Sequence, residues 1–98
     1  MAALLSDRQF ALISKAISDP RRYRMLSEII GAPEPLPCCA LQAGCEVSAA
    51  TISHHIKELE AAGLVELVKD GRFARLIAKR DILDSYLRQL SETLSPTA

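Results

Sequence analysis

The residues able to do chemistry fall into two sets. The first holds the soft ligands: cysteines at 38, 39 and 45, and adjacent histidines at 54 and 55. Thiolates suit a thiophilic metal or metalloid, or an oxidant. The second set is Ser48, Thr51, Ser53, His54 and Lys57, followed by Arg72. Hydroxyls, helix N-terminal amides and a lysine are donors, and their natural acceptor is a phosphate backbone. Enzymatic chemistry finds no parts here. The sequence has no glycine-rich phosphate loop, no metal-ligand cluster, and no nucleophile with a base and an orienting group.

The second set needs a helix to hold it, and residues 48–64 supply one. Ser48 is a good N-cap. Ile52, Ile56 and Leu59 recur at three- and four-residue spacing and form an apolar stripe facing a core. Ala50, Thr51, His54, Lys57 and Ala61 fall on the opposite side, where Ala49 and Ala50 allow close approach to a ligand surface. His54 is expected to face outward, and His55 to sit at the edge of the apolar stripe as a hydrogen-bonding packing residue. Gly63 ends the helix as a C′ glycine. A shorter helix is expected from about Pro37 to Gly44, with Cys38, Leu41 and Cys45 sharing one face. After the longer helix, Leu64–Lys69 and Phe73–Ala78 read as two strands around an Asp70-Gly71 turn. Lys69, Arg72 and Arg75 cluster at or near its tip, as phosphate contacts or as charges that discourage edge-to-edge association.

Three more helices are legible. Asp7–Ile17 carries Phe10, Ile13, Ala16 and Ile17 on one stripe. A second is capped by Asp19, has Pro20 at its first position and ends at Gly31; Tyr23, Leu26, Ile29 and Ile30 are expected inside. Between Gly31 and the short helix runs a connector with prolines at 33, 35 and 37, which argue against a regular strand. Asp81–Leu94 is the last helix. Its Ile82, Leu83, Tyr86, Leu87, Leu90 and Leu94 give more apolar width than one small core needs.

A chain of 98 residues makes one domain, residues 1–98, and 49% hydrophobic content is high for a small monomer. Formal net charge is zero, so no global basic signature points to nucleic acid. The cations are grouped, however, at Arg21, Arg22 and Arg24, at His54, His55 and Lys57, and at the hairpin tip. A basic face and an acidic face are expected. No apolar run approaches the roughly 20 residues that span a bilayer, and Ala2–Leu5 is too short for a signal segment. An odd cysteine count without a disulfide framework fits a reducing, cytoplasmic setting.

Taken together, Ala16-Ile17-Ser18-Asp19-Pro20-Arg21-Arg22, Thr51–Leu59, Ala62-Gly63-Leu64-Val65 and Asp70-Gly71-Arg72 resemble the ArsR (arsenical-resistance repressor) family over roughly residues 8–90. The resemblance implies a mainly α fold with a small β-hairpin, a winged helix-turn-helix of about five helices and a two-stranded wing. Residues 37–62 would be the helix-turn-helix and 64–78 the wing. It further implies a homodimeric repressor that binds an inverted-repeat DNA operator and often releases it on sensing an inducer. On that frame Ser48, Ala49, Ala50, Thr51, Ser53, His54, Lys57 and Arg72 are the DNA-contact candidates. Phe10, Ile13, Ile17, Leu83, Tyr86, Leu87 and Leu90 are the dimer candidates.

The cysteines match the family's sensors only in part. A Cys-Val-Cys pattern often precedes the recognition helix in its arsenic and cadmium sensors; here Pro37, Cys38 and Cys39 fall on it, and Cys45 falls where the family has a buried leucine. Cys38 and Cys39 stay thiol-sensor candidates, but as helix neighbours they point about 100° apart. Cys38 and Cys45, seven residues apart on a helix, are separated by roughly 10 Å, beyond disulfide reach. The family's second metal site needs histidines on the last helix. Asp81-Ile82-Leu83 and Gln89-Leu90-Ser91-Glu92 have none, so no metal or other cofactor is expected. Three readings remain: a DNA-binding repressor, a cysteine-based metalloid or redox sensor built on one, and a winged helix used only for protein contacts.

Overall fold

The computed structural model describes residues 5–37, 41, 48–71 and 73–95. Helix α1 (Asp7–Ile17) starts at Ser6, whose hydroxyl accepts from the Gln9 amide at 3.1 Å. Helix α2 (Pro20–Gly31) starts at Asp19, whose carboxylate accepts from the Arg21 and Arg22 amides at 2.9 and 3.1 Å. Both starts satisfy amides that no preceding turn can. The inward face of α2 is Arg22, Met25, Leu26 and Ile29. Tyr23, expected inside, is 61% exposed; it lies about 100° round the helix from Arg22. Arg22 therefore leaves the expected basic face, while Arg21 and Arg24 remain on the surface.

The sheet departs from expectation in one respect. Strands β2 (Val65–Asp70) and β3 (Phe73–Ala78) form the hairpin, but the proline-rich connector adds a third strand, β1 (Leu36–Pro37). The order is β1-β3-β2, all antiparallel, with Leu36 opposite Leu76 and Pro37 opposite Arg75. A proline is tolerated because β1 is an edge strand of only two residues. Pro37 is thus a strand residue and not the start of a helix. In the hairpin Asp70 pairs with Phe73, so Asp70 closes the ladder and the turn begins at Gly71. Gly71 has φ +63°, the left-handed conformation that a tight hairpin turn needs at its first position.

Helix α3 (Ala49–Ala61) follows Ser48, which is extended at φ −70°, ψ 158°, so α3 begins afresh there. Four helices lie among the described residues. The short helix expected before α3 falls on residues 38–40 and 42–47, outside them, apart from Leu41, which is fully buried. Helix α4 (Arg80–Leu94) closes the chain, and its Arg80 guanidinium donates to the Ile30 carbonyl at the end of α2, at 2.6 Å.

The core gathers Ile13 and Ala16 of α1, Met25, Leu26 and Ile29 of α2, Ile52, Ile56 and Leu59 of α3, Leu64 from the turn after α3, Val65 and Leu76 of the sheet, and Tyr86 of α4. The Tyr86 and Phe10 rings lie 4.7 Å apart, and the Tyr86 hydroxyl pairs with that of Ser14 at 2.8 Å. Ile13 and Tyr86, two of the expected dimer residues, are therefore interior residues of the chain itself.

The α3–β2 corner rests on Gly63. The Leu64 amide donates to the Leu59 carbonyl at 3.0 Å and the Gly63 amide to the Glu60 carbonyl at 2.9 Å, a Schellman ending with Gly63 at φ +80°. A Cβ on Gly63 would lie 2.7 Å from Gln9 Nε2, which donates to the Ala62 carbonyl at 3.5 Å. Gly63→Ala should destabilise by about 1–2 kcal/mol from the left-handed backbone alone. Urea unfolding of the two proteins at equal concentration checks this.

Candidate nucleic-acid interface

The buried and exposed positions of α3 separate cleanly. Ile52, His55, Ile56 and Leu59 are buried and occupy one arc. Ala49, Ala50, Ser53, His54 and Lys57 are exposed and occupy the other. At about 100° per residue, Ala50 and Lys57 sit at the centre of the outer arc, Ser53 toward one margin and His54 toward the other. The outer arc thus carries small, hydroxyl and cationic side chains on a helix whose inner stripe fixes its orientation. Glu58 and Glu60 lie at or beyond its edges.

Ser48 and Thr51 serve the helix start. The Ser48 hydroxyl accepts from the Thr51 amide at 3.2 Å and pairs with the Thr51 hydroxyl at 3.0 Å. Thr51 is half-buried and its hydroxyl is engaged with that of Ser48 in the cap, whereas Ser53 is exposed.

Beside α3 the hairpin forms one wall of an open, mostly apolar groove of about 270 Å³, lined by Ala49, Ile52, Ser53, Ile56, Lys57 and Glu60 of α3 with Leu67 and Ala74 of the strands. Alternation along the strands puts Val65, Leu67 and Lys69 on the side facing α3 with Leu76 and Ala78. Val68 and Arg75 pair on the other side. Lys69 and Arg75, grouped at the hairpin tip by sequence, therefore point to opposite faces. Arg72 lies outside the described residues.

His55 is the hydrogen-bonding packing residue that the sequence indicates: it is 6% exposed, and its Nδ1 accepts from Arg22 Nε at 3.3 Å. Arg22, 8% exposed, also donates through Nη1 to the Ala16 carbonyl at 3.3 Å, so one guanidinium ties the end of α1 to α2 and α3. Burial holds the His55 pKa below the usual imidazole value, opposed by Asp19 and assisted by Arg22, His54 and Arg21. Asp19 is itself held below the ordinary carboxylate range, chiefly by the Arg22 amide. Sequence reasoning missed Arg22. Its signal was present in the i, i+3, i+4, i+7 spacing of Arg22, Met25, Leu26 and Ile29, which makes the arginine the first residue of the buried stripe.

No group of three or more His, Cys, Asp or Glu among the described residues could hold a metal ion. Cys38, Cys39 and Cys45 lie outside the described residues. None of the described helices is long and apolar enough to cross a membrane.

An outward-facing polar helix, capped at its start and flanked by a β-hairpin, defines the winged helix-turn-helix class. Residues 17–68 match the family model described as a helix-turn-helix domain. The chain is 33% identical over 90 residues, 91% of its own length and 90% of the relative's, to an uncharacterized HTH-type transcriptional regulator, YceK, of Bacillus subtilis strain 168. Its fold superposes on an ArsR-like transcriptional regulator from Rhodococcus sp. RHA1 with a TM-score of 0.76 and 30% identity, covering 91% of this chain and 82% of that one. It also superposes on the homodimeric winged helix-turn-helix DNA-binding domain of Mb0332 from Mycobacterium bovis, with a TM-score of 0.68 and 24% identity over 95% and 94% of the chains. The chain belongs to the ArsR-type family of winged helix-turn-helix transcriptional regulators.

Proposed function

We propose that the protein is a cytoplasmic homodimeric repressor that binds an inverted-repeat DNA operator. The observation that carries this reading is the outer arc of α3. Ala50 and Lys57 stand at its centre with exposed Ser53 and His54 on either side, all held outward by the buried Ile52, His55, Ile56 and Leu59. Ala49 and Ala50 let the helix N-terminus approach the duplex. Ser53, His54 and Lys57 reach base edges or flanking phosphates, while Ser48 and Thr51 orient the first turn. Two α3 helices about one DNA turn apart, roughly 34 Å, would read two half-sites. The dimer reading is supported by the apolar side of α4 that the described residues leave uncovered, where Leu87 is 51% and Leu94 74% exposed.

The test is an anisotropy titration of a palindromic duplex, selected by the protein from a random pool, across a range of salt concentrations. Affinity should fall steeply and log-linearly with salt, as expected when cations on the protein displace counterions from phosphate. A salt-independent signal, or none, defeats the reading and leaves a winged helix that contacts only protein. Arg72, proposed to hold the wing to a phosphate, gives a second prediction. Arg72→Ala should weaken all sequences alike and reduce the salt slope by about 0.9 for each phosphate the arginine neutralises. A changed sequence preference would show that the wing reads bases.

A further inference from the structure

We infer that Arg22 and His55 form a proton-sensitive seat for the recognition helix, so that acidification weakens operator binding by unseating α3 rather than through any contact with DNA. This rests on the reading of α3 as the DNA-binding helix. The geometry is restrictive. A guanidinium is always charged and can only donate, so the 3.3 Å contact from Arg22 Nε requires an unprotonated Nδ1 on His55. The neutral imidazole must then carry its proton on Nε2. Both side chains are buried, and Arg22 is held from its other end by the Ala16 carbonyl. Protonating His55 replaces this hydrogen bond by two facing cations in a poorly solvated site.

The charged groups acting on His55 come from all sides of the seat. They are Asp19 ahead of α2, Arg21 and Arg22 within it, and His54 on α3. Asp19 alone favours the imidazolium, and its carboxylate is already engaged by the Arg21 and Arg22 amides. The remaining relief is mechanical: Arg22 leaves the interior, or α3 tilts away from α1 and α2. The sign agrees with the lowered His55 pKa. The seat is intact above the ordinary imidazole value, near 6.5, and is lost as pH falls from there through the folded value. His54, exposed on the outer arc, is replaced in both test proteins so that only His55 differs between them.

The experiment compares H54Q with H54Q/H55N on the duplex selected by the wild-type protein, taking the affinity ratio between pH 7.5 and 5.5. Asparagine keeps an acceptor where Nδ1 stands but cannot titrate. H54Q should lose affinity as the pH falls over this range, and H54Q/H55N should stay flat. Equal slopes in the two proteins overturn the proposal, as does an H54Q/H55N protein whose circular dichroism shows it unfolded at pH 7.5. Long-range proton–nitrogen spectra of the free wild-type protein provide a reading without DNA. His55 should be the Nε2–H tautomer at pH 7.5 and titrate below the ordinary imidazole value, and the α3 amides should shift with the same midpoint. An Nδ1–H tautomer, or α3 amides indifferent to that midpoint, also overturns it. If no duplex binds at any pH while the imidazole spectra behave as stated, the DNA reading fails and the seat stands.

Discussion

Leu59→Ala should lower stability by about 2–5 kcal/mol, the range for emptying a fully buried leucine site. Leu59 has no exposed surface and lies where α3 meets the rest of the core. Its carbonyl also accepts the Leu64 amide that turns the chain into β2, so the residue stands at the joint between α3 and the hairpin. Local collapse is resisted on several sides, because Ile52, Ile56, Leu64 and Leu76 belong to the same packed cluster. For a domain of this size each kcal/mol moves the melting point by roughly 4–8 °C, so a loss on the order of 10–40 °C is expected. Thermal melts followed by circular dichroism, at equal protein concentration because a dimer's melting point depends on it, check the figure. A shift of only a degree or two would mean that α3 is not anchored at this position, and the outer arc would then lose its fixed orientation.

Most of the fold was legible because its elements are short and amphipathic and three of its described helices start at a side-chain cap. Ser48, Asp19 and Gly63 mark helix boundaries by local hydrogen bonding, which needs no tertiary information. The limits of α1 and the return strand followed directly from the sequence. The departures share a cause, which is that the deciding partner is distant in sequence. Leu36-Pro37 becomes a strand only because Leu76 and Arg75 offer it an edge. Tyr23 and Arg22 exchange their expected places because the stripe that turns inward is fixed by what α2 packs on. The desolvation of a buried arginine is offset only through His55 and the Ala16 carbonyl, one 33 residues away and on another helix. The inward stripe of α3 was readable from its period alone, whereas Thr51, placed on the outer side by the same period, is half-buried at the cap. The opposition of Lys69 and Arg75 needed the register of the hairpin.

The uncovered side of α4 gives the largest expected effect on DNA binding. Leu83, Leu87, Leu90 and Leu94 recur at i, i+4, i+7 and i+11, the spacing of a seam between helices. Leu83 and Leu90 are partly buried against the core, whereas Leu87 and Leu94 stand mostly in solvent. With Phe10, Leu90 and Leu94 also line an open groove between α1 and α4, so the apolar strip runs onto the first helix. If this strip is the dimer seam, each leucine in it counts twice, since a two-fold axis places the same patch on both copies. Leu87→Asp removes roughly 1–2 kcal/mol of apolar burial per copy and adds two carboxylates that must be desolvated close to the axis. Dimer affinity should fall by at least about two to three orders of magnitude, and binding to a two-half-site duplex should be abolished at nanomolar protein. The substitution is the more telling because the side chain already faces solvent within one chain. The thermal unfolding of the isolated protomer should change little, and no proposed DNA contact is altered. Sedimentation velocity at micromolar concentration, run beside the anisotropy titration, separates the outcomes. A monomeric variant that no longer binds the duplex supports the seam. A wild-type protein that sediments as a monomer and binds a single half-site with full affinity refutes the dimer, because one α3 would then suffice.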